Sequence, residues 1–244
     1  MNTLIIAKRI FRQLQGDKKY LALSIIAPLI IIYFLKLLLN AFPPNVPVKN
    51  FAIPIGAFIV HFLSFLLCSV LLVQERTRGT LERMLISGYK RTSIIGGYTI
   101  GYIGLATLQT SAVLFQMLWL FNLDYSGATI FLLFIVIWLL AVVSVMLGIF
   151  ISTFAQHEGH VFPFIPLILM PSFFLTGLII DTNTLPGWAA FIGKCLPLRY
   201  AVNIIQEIIK PEYSLSNTYL NFAILIGYIF LLWILASFTL KETE

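Results

Sequence analysis

Charge is scarce in this sequence. Asp, Glu, Lys and Arg make up 11% of its 244 residues, where a soluble domain usually carries about 25%. That excludes an ordinary water-soluble domain. Cysteine is nearly absent. Cys68 sits in an apolar run and Cys195 in a loop, so a disulfide-stapled scaffold is excluded and packing is the expected role of both. No phosphate-binding G-x-x-x-x-G-K-[ST] loop occurs. GWAAFIGKC at 187–195 has one spacer too many and ends in Cys, so ATP hydrolysis through such a loop is excluded. HEGH at 157–160 falls one residue short of H-E-x-x-H, whose two His must stand four apart on a helix to share a zinc ion. No Ser-His-Asp set and no paired carboxylates are legible. The expectation is a chain that is not an enzyme and binds no cofactor of its own.

What the sequence has in abundance is apolar length. Hydrophobic residues make up 59% of it, and the mean hydropathy is +0.95. Runs of about 20 apolar residues read as transmembrane helices. Six such runs cover 20–39, 53–73, 95–121, 128–153, 161–180 and 219–239. They are continuous rather than alternating, so they read as helices and not barrel strands. The expected fold is an all-α polytopic membrane protein, with residues 1–244 as a single transmembrane domain. The first 20 residues do not read as a cleaved signal, because Lys8, Arg9 and Arg12 interrupt them.

Lys and Arg set the orientation. Lys8, Arg9, Arg12, Lys18 and Lys19 precede the first run. Arg76, Arg78, Arg83, Lys90 and Arg91 lie between the second and third, and Lys241 follows the last. The other side receives Lys49, Lys194, Arg199 and Lys210. The expectation is a multi-pass protein of the cell membrane with both termini cytoplasmic. This asymmetry accounts for the net charge of +6 without nucleic acid. The loop FAQHEGH at 154–160 has no Lys or Arg and fits the scheme least well.

Several segments carry local instructions. In residues 4–14, Leu4, Ile6, Ala7, Ile10, Phe11 and Leu14 share one helical arc, opposite Lys8, Arg9, Arg12 and Gln13. An apolar face opposite a basic face suits a helix lying in the interface of an anionic leaflet. The Pro-rich loop NAFPPNVPVKN at 40–50 cannot be a regular helix. Gly97 and Gly101 open the third run at a spacing that lets helix backbones approach closely. The fifth run holds Pro163, Pro166 and Pro171 and is expected to be kinked or locally unwound. Residues 181–217 contain apolar stretches too short to span, around Trp188, Phe191 and Ile192 and over AVNIIQEII. They suit re-entrant or interfacial helices on the outer face.

The charged segment QERTRGTLERMLISGYKR, 74–91, stands between two runs without charge. Thr80 reads as an N-cap, Glu82 falls in the first turn where negative charge suits the dipole, and Gly88 reads as a stop. A helix of about two turns is framed, with Leu81, Met84 and Leu85 on one face. It is either a docking surface for a cytoplasmic partner or a connector lying along the membrane.

This segment resembles the E-R-x-R-G-T-L-E-x-L-L stretch of ABC-type exporter permeases of the type-2 membrane family. FFLTGLIIDTNTLPGWAAFIGKCLPLRYAV, 173–202, resembles that family's small-Gly turn, LP-x-W and Pro-x-x-Tyr-Ala pattern. The order of segments matches over nearly the whole chain. The resemblance implies an ABCG-like fold in which 74–92 is a cytoplasmic coupling segment. It implies that Glu75, Arg76, Gly79, Thr80, Leu81, Glu82 and Arg83 meet a separate ABC ATPase, that 4–14 is a connecting helix, and that ATP and Mg are held by the partner. It implies two permease chains with two ATPase chains, as a homodimer or heterodimer of permeases, with a cavity between the second and fifth spans. Phe58, Phe62 and Phe65 with Phe173 and Leu175 are the candidate lining, and His61 is the ionisable group deep in a span. The expected function is export of a hydrophobic or amphipathic compound such as a drug, antimicrobial or lipid. Polysaccharide or teichoic-acid export is the alternative within the class. A membrane sensor or scaffold, or an intramembrane enzyme, is the alternative outside it.

Overall fold

A computed structural model describes residues 2–41, 48–210, 216 and 218–240, and everything below concerns these. Helix dominates and no strand occurs among them. The elements are α1 (Asn2–Gly16), α2 (Lys18–Asn40), α3 (Val48–Thr77), α4 (Thr80–Ile86), α5 (Arg91–Leu120), α6 (Gly127–Ser152), α7 (Phe164–Phe174), α8 (Gly187–Lys194), α9 (Pro197–Ile208) and α10 (Tyr219–Thr239). Most of the Pro-rich loop and part of the 181–217 stretch lie outside the described residues.

Five helices are long and apolar enough to cross a membrane: α2, α3, α5, α6 and α10. The expected run at 161–180 is not among these five. That run forms a helix of only 11 residues, Phe164–Phe174. Its prolines explain the shortening. Pro163 stands at the N-cap, Pro166 falls in the first turn, and Pro171 removes a donor near the end. After Leu175 the chain bends, with Gly177 at a left-handed φ of 86°.

The core is organised on α6. Leu140, Ala141, Val143, Met146 and Ile149 are all wholly buried, as expected of a helix apolar on every side. α3, α5, α9 and α10 pack around it. The α3–α6 contact is close at Gly148, where an added Cβ would stand 2.7 Å from the Phe65 carbonyl oxygen. α2 and α10 lie at the periphery and turn Phe34 and Leu38, and Phe230 and Phe238, outward. This is a surface suited to lipid.

The amphipathic start behaves differently from a helix resting on lipid. Ile6, Ala7, Ile10 and Leu14 are buried, and α1 packs along α5. The glycines of α5 make the bed. A Cβ at Gly97 would stand 2.6 Å from Ile6, and one at Gly101 2.7 Å from Ile10. Leu4 and Phe11, from the same sequence arc, stay exposed.

Candidate functional site

The charged segment divides into two parts. Nothing in Gln74–Thr77 stops a helix, so α3 continues through it and carries Glu75 and Arg76 in its last turn. The break comes at Gly79, whose φ of 67° reverses the chain without Cβ strain. Gly79, rather than Thr80, occupies the N-cap of α4. The Arg83 guanidinium donates to the carbonyls of Gly79 and Arg78, at 3.3 and 3.1 Å, and holds this turn. At the far end Gly88, at φ 81°, closes the helix. The Gly88 N–H donates to Leu85 O and the Tyr89 N–H to Met84 O, the paired bonds of a Schellman cap.

Glu75 points inward and is only 3% exposed. Its Oε2 accepts from Arg9 of α1 at 2.9 Å and from the Tyr98 hydroxyl of α5 at 3.3 Å. Its Oε1 accepts from Gln13 Nε2 of α1. A carboxylate in an apolar setting is tolerated when its lone pairs are so occupied. Arg76 reaches the other way and donates to the carbonyls of Thr153 and Ala155 at the end of α6, at 3.3 and 2.7 Å. Thr153 is the C-cap of α6, whose carbonyl the helix leaves without an intrahelical partner, and Ala155 follows two residues on. One turn of α3 is thus bonded to α1, α5 and the end of α6.

α4 rests on this joint. Leu81 and Met84 are buried and Leu85 partly so, which places the expected apolar ridge against the bundle. Arg9 also donates toward the Met84 sulfur at 3.4 Å. Glu82 and Arg83 are exposed on the opposite side, with Gly79 and Thr80 half-buried between. Ile86 stands among them with 86% of its surface exposed. The sequence reading passed over Ile86. The signal was available, since on a helical wheel Ile86 falls between Glu82 and Arg83, opposite the Leu81–Met84 ridge.

The candidate pathway residues do not form one set. Phe58 and Phe62 of α3 line an open groove of about 440 Å³ with α7, facing Phe173, Leu169 and Met170. The rings of Phe58 and Phe173 lie 5.1 Å apart between centroids. Every residue lining this groove is apolar. Phe65 is wholly buried behind it, with Ile151 and Leu169. His61 faces α6 instead, and its Nδ1 lies 2.7 Å from Ser144 Oγ. Because Ser144 donates to Leu140 O, the His61 ring donates to Ser144. Leu175 lies beyond the end of α7, where its carbonyl abuts Gly193 of α8. Among the described residues, no three His, Cys, Asp or Glu side chains come together as metal ligands.

A family model described as ABC-2 type transporter matches residues 1–210. The chain belongs to the ABC-2 type transporter family. Among curated relatives, ABC transporter G family member 20 of Dictyostelium discoideum is 24% identical over 204 residues, covering 82% of this chain and 28% of the relative. "Probable multidrug ABC transporter permease YbhR" of Escherichia coli (strain K12) is 26% identical over 179 residues, 72% of this chain and 48% of the relative. "Probable multidrug ABC transporter permease YbhS" of the same strain is 26% identical over 171 residues, 68% of this chain and 45% of the relative. The ABC-2 chain thus spans half the length or less of each of these relatives. The joint at Glu75 and the groove at Phe62 both lie inside the region the family model covers.

Proposed function

We propose that this ABC-2 chain is the membrane-spanning permease subunit of an ATP-driven exporter. In this reading a separate ABC ATPase docks on α4 at the cytoplasmic face and holds ATP and Mg. Its closure presses on α4. The observation that carries the reading is the joint. α4 offers Glu82, Arg83 and Ile86 outward, while the turn behind it is bonded to α1, α5 and α6. A connector that only joined two spans has no use for a buried carboxylate with three partners. Glu75 and Arg76 then act as transmitters inside the permease, and the ATPase meets Gly79, Thr80, Glu82, Arg83 and Ile86.

The cargo is a hydrophobic or amphipathic compound that enters the groove between α3 and α7. An all-apolar lining favours such a compound over a polysaccharide, whose hydroxyls would find no partners there. The names of the Escherichia coli relatives agree with this class. Two permease chains, identical or different, and two ATPase chains make the transporter; α7 and the apolar turns flanking it serve as the sixth crossing, so that both permease termini are cytoplasmic.

The test is capture of the tagged chain from its native membrane, with mass spectrometry of what accompanies it. Wild type should bring an ABC ATPase. A double variant, Glu82→Arg with Ile86→Asp, should lose it while keeping wild-type thermal stability. Equal capture by both would sink the docking assignment.

A further inference from the structure

The bundle holds polar atoms that neither the joint nor the groove uses. Gln109 of α5 is 1% exposed. Its Oε1 accepts from Ser64 Oγ of α3 at 3.1 Å, and its Nε2 has no partner. The hydroxyl of Tyr20, near the start of α2, is likewise buried and without a partner. Both side chains line one small cavity, and Ser64, Tyr102 and Val145 complete walls drawn from α2, α3, α5 and α6. Its volume is about 10 Å³, which matches the room one water molecule needs.

We infer that this cavity is a binding site for a single water molecule that ties three helices, α2, α3 and α5, together. The bonding is balanced. Ser64 has spent its only hydrogen on Gln109, so its oxygen accepts from the water. The water in turn accepts from Gln109 Nε2–H and from the Tyr20 O–H. Three bonds is the usual number for a buried water. A dry apolar void of this size would be stable, but this one has an amide and a phenol at its wall, and both are costly to leave unpaired in a lipid-embedded bundle.

The cavity lies next to solvent. Tyr20 and Tyr102 also line an open cleft at the end of the bundle that carries the charged segment, with Gln13, Asp17, Gln74 and Arg78 as its polar wall. The two tyrosines line both the cleft and the cavity, and on this proposal water enters between them. A water bridge has a consequence for motion. α2 can shift against α3 and α5 while one mobile molecule keeps both polar groups bonded, which a direct side-chain bond would not allow.

The experiment is water-edited solid-state NMR on the full chain in lipid bilayers, with glutamine side-chain amides labelled with nitrogen-15. The Gln109 signal is identified by its loss in Gln109→Leu. Magnetisation should pass from water to the Gln109 amide despite its burial. In Ala106→Leu, which fills the cavity from its own wall, the transfer should fall severalfold. No transfer in wild type, or transfer untouched by Ala106→Leu, overturns the site. If Ala106→Leu does not assemble, Tyr20→Phe takes its place. It removes one partner and leaves the chain otherwise intact, so it should weaken the transfer, and unchanged transfer there overturns the site equally.

Discussion

At one end of α3, Glu75 and Arg76 are bonded to α1, α5 and the end of α6. Thirteen residues earlier, roughly 20 Å along the same helix, Phe62 faces a short, proline-shortened α7 across an open apolar groove. The first region has directional bonds, few exposed atoms and glycines that seat α1 within contact distance. The second has apolar contact only, and little of it. Directional bonds to a buried charge fix geometry, because a small displacement forfeits them. Apolar contacts can be remade at many separations at small cost. One helix therefore carries a stiff joint at one end and a soft wall further along. That is the arrangement a transporter needs if motion at α4 is to change a groove without deforming the joint.

This contrast can be broken from either side. The largest effect on stability is expected from Gly97→Leu. Its side chain has no room against Ile6, so α1 must leave its bed, at about 3 kcal/mol for overpacking of this kind. Thermal unfolding in lipid nanodiscs and protease access to α1 should both register it. Glu75→Ala comes next. It strips Arg9, Gln13 and Tyr98 of their acceptor. The Arg9 side chain is 39% exposed and can be rehydrated, so the loss should be about 2 kcal/mol, below the roughly 3–5 kcal/mol of a fully buried pair. ATP hydrolysis of the assembled complex should persist while transport falls, and intact transport would deny the joint its role. Phe62→Ser should cost about 1 kcal/mol of apolar burial. It should lower transport of an apolar probe with ATPase capture unchanged, and a wild-type transport rate would remove the groove as pathway. Ile86→Ala should change stability by less than about 0.5 kcal/mol, as exposed sites do, yet weaken ATPase binding measurably. Binding equal to wild type would leave Ile86 a bystander.

Much of this was legible beforehand. Five of the six expected spans are helices whose limits fall within a few residues of the expected ones, because apolar length is itself the signal. The framed helix after Gly79 appears as α4, and its Leu81–Met84 ridge is where helical spacing puts it. Two short helices, α8 and α9, occupy the stretch read as too short to span. The differences between sequence pattern and structure share a cause. Composition marks 161–180 as one long apolar run, but its three prolines decide how much of it is helix. Glu75 and Arg76 stand in sequence beside the residues expected to meet the ATPase, but the continuation of α3 turns Glu75 inward and Arg76 toward the end of α6. The five apolar pathway candidates and the ionisable His61 are adjacent by sequence character, but the fold sends His61 to α6 and Leu175 toward α8.

The sequence by itself determined that this protein is a helical membrane bundle, where its helices run, and which short segment carries charge between two of them. Those properties depend on local composition and on caps and breakers within a few residues. Only the tertiary structure decided that the apolar face of α1 belongs to the glycines of α5, that a buried carboxylate ties three elements together, and that Phe62 and Phe173 share a groove while Phe65 does not. Each of these depends on which face of one helix meets which face of another, and helical periodicity names a face without naming its neighbour.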